Sequence, residues 1–231
     1  MPTSQIGNLP FPIPHNLAEY AAEPDNDHWR EWIVRLPAFV AELTERWSLQ
    51  LGAPYEPGGM CSWVAPARNA DGDELVLKLG VRHSEAEHEI DGLRFWNGDG
   101  AARLYDSFVT DDTCVLLLER CVPGNSLKQT LPEEAQDEVI ARLLRRLWKE
   151  PPPGHPFRPL QSMCDEWGAG LAEDAERYPD KMDAGLVRAG LEIFRAYAGT
   201  ADRHVLLCTD LHGDNVLAAV REPWLVIDPK P

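Results

Sequence analysis

The chain alternates between stretches whose apolar residues recur at helical intervals and stretches with the two-residue period of strands. From His28 to Trp47 the residues Trp29, Trp32, Ile33, Leu36, Val40, Leu43 and Trp47 keep the helical spacing. Pro37 interrupts them, and proline suits a first helical turn, so the pattern predicts two short helices, the second beginning near Pro37. Ahead of them Pro2, Pro10, Pro12 and Pro14 predict an extended arm. From Leu49 the period changes to that of strands. Leu49 to Tyr55, Trp63 to Ala67 and Glu74 to Leu79 are separated by Pro57-Gly58-Gly59-Met60-Cys61-Ser62 and by the turn Asn69-Ala70-Asp71-Gly72. A helix is expected from Ser84, as its N-cap, to Trp96, buried through Ala86, Ile90, Leu93 and either Phe95 or Trp96. Strands at Ala101 to Phe108 and Thr113 to Leu118 follow, around the turn Thr110-Asp111-Asp112.

Beyond residue 119 the pattern turns helical. Glu133 to Glu150 carries Val139, Leu143, Leu144, Leu147 and Trp148 on one face. After the rigid proline-rich link of residues 151–156, helices are expected at Leu160 to Tyr178 and at Asp183 to Ala198, the latter buried through Leu186, Ile193, Phe194 and Tyr197. The last stretch predicts an apolar strand at Leu206 to Cys208, a polar loop, a second strand from Val216, a turn at Arg221-Glu222-Pro223 and a third strand to Ile227. Asp210, Asn215 and Asp228 stand where these strands end. An Asp, an amide five positions on, and a second Asp closing an apolar run supply what phosphoryl transfer from ATP·Mg²⁺ requires. One carboxylate accepts the proton of the attacking hydroxyl, while the amide and the other carboxylate hold the metal.

Composition narrows the class without adding chemistry. A chain of 231 residues, 44% hydrophobic and 26% charged, can bury a core as one large domain or two lobes. A net charge of -16 argues against nucleic acid, whose recognition needs a basic face. The same charge suits a cationic ligand, although an acidic surface also serves solubility alone. Five cysteines without a Cys-x-x-Cys pair predict reduced thiols and neither a disulfide framework nor a zinc site. No basic-then-apolar leader and no bilayer-length apolar run is present, so the expected compartment is the cytoplasm and no membrane partner is expected. The sequence carries no signal for an oligomeric state.

The run Asp210-Leu211-His212-Gly213-Asp214-Asn215-Val216-Leu217 resembles the catalytic loop of the aminoglycoside phosphotransferase family, relatives of the protein kinases. Two registers compete there. His212-Gly213-Asp214 has the letters of the family's His-Gly-Asp triplet, but Ala219, five residues beyond Asp214, binds no metal. Asn215, five beyond Asp210, can, so Asp210 is assigned as the base and Asn215 and Asp228 as the metal ligands. Cys208 and Thr209 then occupy the family's His and Gly positions. Three readings stay open: a phosphotransferase, a nucleotide-binding protein without transfer activity, and a metal-dependent hydrolase using Asp210, His212 and Asp214.

The order of the earlier motifs is also similar to a kinase small lobe. Gly58, Gly59 and Ser62 would let backbone N–H groups approach phosphates, Lys78 would neutralise phosphate oxygens and Glu89 would orient Lys78. Taken singly, the glycines read equally well as a hairpin turn, and Lys78 and the glutamates as solvated faces. Glu119-Arg120-Cys121 resembles the family's hinge, whose backbone at Glu119 to Cys121 would bind the adenine edge. The acidic cluster that includes Asp165 and Glu166 lies where the family binds its acceptor, and a solvated helix face explains the same residues. Gly-Gly-x-x-Ser-Trp-Val-Ala-Pro-Ala, Leu-Leu-Leu-Glu-Arg and Ile-Asp-Pro-Lys-Pro look most like the branch of streptomycin 6-kinases and hydroxyurea kinases.

The resemblance implies an α+β, two-lobed protein-kinase-like fold. Residues 1–119 would form N-terminal helices and a β-rich nucleotide-binding lobe, and residues 120–231 a helical lobe. That lobe would lack its C-terminal helices, because the chain stops three residues after Asp228 where the family continues. It implies ATP and Mg²⁺ as cofactors, and as acceptor a small, cationic, hydroxyl-bearing molecule such as an aminoglycoside. Hydroxyurea or an amino alcohol is the alternative.

Overall fold

The computed structural model describes residues 11–83 and 86–231. The expectations for Pro2 and Pro10 and for Ser84 as an N-cap lie outside the described residues. Contacts divide the chain into two compact units, one of residues up to 147 together with 207–231, the other of residues 148–206.

In the first unit, α1 (His15–Ala22) follows Pro14 directly, so part of the expected arm ends in a helix. Next comes α2 (Asp27–Arg46), one helix where two were expected, with Pro37 inside it. Its apolar stripe runs unbroken past the proline, and Trp29, Trp32, Ile33, Leu36, Val40 and Leu43 are all buried. A proline in a helix costs about 3 kcal/mol. Six buried side chains at about 1.5–3 kcal/mol each outweigh that. Trp47 caps the helix, half-buried against Phe108.

These helices cover one face of a five-stranded antiparallel sheet: β1 (Gln50–Leu51), β2 (Ser62–Arg68), β3 (Glu74–Val81), β4 (Leu104–Val109) and β5 (Thr113–Glu119), in the order β1-β2-β3-β5-β4. Trp63, Ala65, Leu75, Leu77, Leu79, Val115 and Leu117 form the core with α1 and α2. The Trp32 indole donates to the Thr113 hydroxyl at 2.9 Å inside that core. β1 is shorter than the expected 49–55, since Pro54 has no N–H to give a ladder. β4 starts at Leu104 because Ala101 and Ala102 pair with Val226 instead.

The helix expected from Ser84 begins at Glu89 as α3 (Glu89–Trp96), with Ile90, Leu93 and Trp96 buried. After β5 come β6 (Pro123–Ser126), α4 (Leu127–Thr130) and α5 (Glu133–Leu147). Trp148 lies beyond the end of α5 and is exposed, contrary to expectation, and Leu143 and Leu147 carry the burial. A 3-10 turn at Gly213–Asn215 leads into β7 (Val216–Ala219) and β8 (Leu225–Val226), which join β6 in a second antiparallel sheet. Residues 206–208 carry no strand: Leu206 N–H meets the Lys149 carbonyl at 2.9 Å, but no ladder continues beside it.

The second unit holds α6 (Leu160–Arg177) and α7 (Ala184–Ala196), the latter capped by Asp183, whose carboxylate accepts from Gly185 and Leu186. The helices pack where Gly190 lets Leu171 approach and Phe194 meets Trp167 edge-on. The burial expected for α7 is not found: Leu186, Ile193 and Tyr197 are exposed, and Phe194 is only half-buried. One partner helix covers one side of α7, and these three side chains point elsewhere.

Candidate active site

Strand alternation decides where Lys78 goes. Leu77 and Leu79 enter the core, so Lys78 projects from the opposite face, in register with Val64 on β2 and Leu116 on β5. That face is not solvated. Lys78 is buried, and its Nζ donates to both Glu89 oxygens, at 2.7 and 2.8 Å, and to Oδ1 of Asp228. Glu89, in the first turn of α3, is 3% exposed. Burial works to lower the Lys78 pKa, but the charges of Asp228 and Glu89 outweigh it and the ammonium is held charged. Burial raises Glu89 above the usual carboxylate range despite Lys78, while Asp228 is pulled below it by Lys78 against its own burial. Asp228 has φ +49°, the left-handed region, which Asp tolerates better than most residues.

The loop before β7 is tied at both ends. Asn215 Nδ2 donates to the Asp210 carbonyl at 3.0 Å, so the five-residue interval noted in the sequence is closed by the amide itself. The Asn215 carbonyl accepts from Ile227 N–H at 2.9 Å, next to Asp228. The Asp210 carboxylate meets Lys230 Nζ at 2.9 Å. Asp214 points elsewhere, to Lys128 of α4 at 2.8 Å. His212 stands between the two acids, 3.9 Å from Asp210 and 3.8 Å from Asp214. Cys208 is buried, and burial, then the charges of Asp228 and Asp210, push its thiol up to about 12, so it stays neutral.

A cavity of about 520 Å³ opens over this cluster. Gly58, Gly59, Ser62, Lys78, Glu119, Cys121, Asn215 and Asp228 line it, as does Asp214. Val64, Val76, Leu93, Leu118, Leu217 and Ile227 line it as an apolar slot. Such a volume, with an apolar lining and convergent polar groups, is what a nucleotide-sized ligand requires. Glu89 sits behind Lys78, and Asp210 is joined to the cavity through Asn215. In the hinge, the N–H groups of Glu119 and Arg120 are used by the carbonyls of Arg103 and Glu74. Burial tends to raise the Glu119 carboxyl, but the two-pronged grip of Arg221, at 2.8 Å to each oxygen, and the Arg103 N–H hold it below its ordinary range. Burial and the Glu119 charge push the Cys121 thiol up to about 11.

Asp165 and Glu166 belong to the other unit. Asp165 accepts from Gln161 at 2.8 Å, and Glu166 pairs with Arg158 at 2.9 Å. No group of three or more His, Cys, Asp or Glu side chains suited to a metal occurs among the described residues. Mg²⁺ takes one or two protein oxygen ligands together with phosphates and water. Asn215 and Asp228 both line the cavity, and an amide oxygen and a carboxylate fit that donor set. No helix among the described residues is long and apolar enough to cross a membrane.

Sequence reasoning missed three contributors. Lys230 sits in Ile-Asp-Pro-Lys-Pro, whose order was noted but whose lysine was not. Asn16 donates through Nδ2 to the Gly58 carbonyl at 2.7 Å and through its N–H to that of Pro57 at 3.0 Å. Arg221 was read only as part of a turn. Asn16 and Arg221 act over 42 and 102 residues respectively, and no local pattern announces such pairs.

Residues 46–231 match the family described as aminoglycoside/hydroxyurea antibiotic resistance kinase. The chain is 37% identical over 235 residues to a streptomycin 6-kinase of Streptomyces glaucescens, covering all of this chain and 72% of that protein. It is 34% identical over 220 residues to the streptomycin 6-kinase of Streptomyces griseus, covering 95% of this chain and 70% of the relative. To the hydroxyurea phosphotransferase of Kitasatospora aureofaciens it is 38% identical over 222 residues, 95% of this chain and 64% of that protein.

Proposed function

The chain belongs to the aminoglycoside/hydroxyurea antibiotic resistance kinase family and is a small-molecule kinase, and we propose that it transfers the γ-phosphoryl group of ATP to a hydroxyl of a small cationic acceptor of the streptomycin type. The carrying observation is Lys78, which meets Glu89 and Asp228 at once inside a nucleotide-sized cavity. The adenine ring takes the apolar slot and reads the backbone at Cys121, while the loop at Gly58, Gly59 and Ser62 covers the phosphates. Lys78, held by Glu89, neutralises phosphate oxygens. Asp210 accepts the proton of the acceptor hydroxyl as its oxygen bonds to the γ-phosphorus and the bond to the ADP oxygen breaks. Asn215 fixes the Asp210 backbone and, with Asp228, would hold Mg²⁺, which spreads the charge of the phosphates. Functionally, residues 1–119 are the nucleotide lobe and 120–231 the lobe that carries the reacting groups.

Asp165 and Glu166 are proposed to meet the cationic acceptor, with Gln161 and Arg158 as their resident partners. A second reading, hydroxyurea as acceptor, is favoured by the identity to the hydroxyurea phosphotransferase. A γ-phosphate transfer assay with streptomycin, other aminoglycosides, hydroxyurea and amino alcohols separates the two. Calorimetric titration with ATP, with and without Mg²⁺, tests the nucleotide site. Lys78→Met is expected to weaken ATP binding at least tenfold, and equal affinity in both proteins removes Lys78 from the site.

A further inference from the structure

Lys230 holds two consecutive residues of the reacting loop, Thr209 and Asp210. Its ammonium meets Asp210 Oδ2 at 2.9 Å. Its carbonyl accepts from the Thr209 N–H at 2.9 Å and from the Thr209 hydroxyl at 2.7 Å. The segment that presents it is anchored on both sides. Asp228, two residues earlier, is bound by Lys78, and Pro231, one residue later, lies so close to Gly92 of α3 that a Cβ there would sit 2.8 Å from its ring. Three acids, Glu89, Asp210 and Asp228, thus share two lysines, Lys78 and Lys230, and the Lys230 charge acts on all three.

We propose that Lys230 is a positioning residue of this centre. It sets Asp210 at a fixed place relative to Asp228, and its charge holds down the affinity of the acid cluster for metal–nucleotide. The inference rests on the phosphotransfer reading for its kinetic part, not for its binding part. A lysine that merely packs would, when removed, lower stability, binding and turnover together. A lysine acting as proposed moves binding and turnover in opposite directions. Without its ammonium, one positive charge leaves the cluster and a divalent cation meets less repulsion, while Asp210 loses its anchor and its orientation.

The test uses the full chain as wild type, Lys230→Met, Lys230→Gln and Lys230→Arg. Mn²⁺ is titrated in the presence of a non-hydrolysable ATP analogue, with the unbound ion read by electron paramagnetic resonance, and transfer is followed in a single turnover. Lys230→Met is expected to bind Mn²⁺ roughly three- to tenfold more tightly, the scale of one charge a few ångström away in a partly solvated site. It is expected to transfer roughly 10- to 100-fold more slowly, the scale of a misplaced reacting group. Lys230→Arg should restore both, and Lys230→Gln should follow Met in metal affinity, standing in for it if Lys230→Met does not fold. Weaker Mn²⁺ binding in both neutral variants, or no change in either readout, overturns the proposal. If wild type transfers to no acceptor, the phosphotransfer reading fails, and the Mn²⁺ arm still decides whether Lys230 sets the charge of the cluster.

Discussion

Two acids four positions apart, Asp210 and Asp214, have different neighbours, and the roles proposed for them follow from those neighbours. Asp214 spends its charge on the exposed Lys128, whereas Asp210 is bound through its backbone by Asn215 and through its carboxylate by Lys230. Spacing separated the two in the sequence, because an amide five residues on, a donor that could hold a metal, follows only Asp210. The Lys78–Glu89 pair was legible from motif order, but the participation of Asp228 required the fold, since 150 residues separate it from Lys78. Cys208 was legible as a departure from a motif and not as chemistry. Its burial beside two carboxylates raises the thiol to about 12, so at pH 8 almost none of it is the reactive thiolate. Iodoacetamide labelling of the native protein at pH 8, mapped by mass spectrometry, should therefore modify Cys61, which is half-exposed, well before Cys208 or Cys121. Labelling of Cys208 as fast as Cys61 would mean that the loop is open in solution.

At the scale of elements, β2 and β3 were readable because alternation fixes their faces, β5 because it is a short continuous apolar run, and α2 because its stripe is long. The single helix through Pro37 was not readable, since local propensity lost to the burial of residues on both sides of it. The brace on the glycine-rich loop was equally hidden. Pro14 and Asn16, at the start of α1, hold a loop more than 40 residues away, and Gly58 combines φ +74° with a site where a Cβ would lie 2.5 Å from Pro14. Only glycine fits there without strain. Asn16→Ala removes one hydrogen bond to that loop, worth about 1 kcal/mol or roughly fivefold. The KM for ATP should rise by about that factor while the KM for the acceptor stays put, as initial-rate kinetics with each substrate varied will show. Equal rises in both would make the brace a matter of general stability.

For the molecule as a whole, the charge of -16 foretold little about the fold, but the buried part of it predicts how the protein responds to acid. Glu89 has its pKa raised by burial, so it takes up its proton above the ordinary carboxylate range, and its ionised form costs stability that acidification relieves. Glu119, lowered by Arg221, behaves in the opposite way, its stabilisation being lost only as pH falls through its depressed value. ATP affinity should thus weaken first, as the Lys78 clamp loosens, while the fold persists to lower pH. Calorimetry and circular dichroism on one pH series should separate the two transitions, and Glu89→Gln should abolish the protein's share of the first. The unit of residues 148–206 was legible as two helices but not as a surface, because the periodicity of α7 cannot say what covers it. The central claim, that this chain is a kinase whose base is Asp210, is met most directly by single-turnover transfer from γ-labelled ATP in wild type, Asp210→Asn and Asp214→Asn. Asp210→Asn is expected to be slower by roughly 10²- to 10⁴-fold with ATP affinity kept, and Asp214→Asn to stay within a few-fold of wild type. A dead Asp214→Asn beside a near-normal Asp210→Asn would contradict the assignment and move the base to the His-Gly-Asp letters.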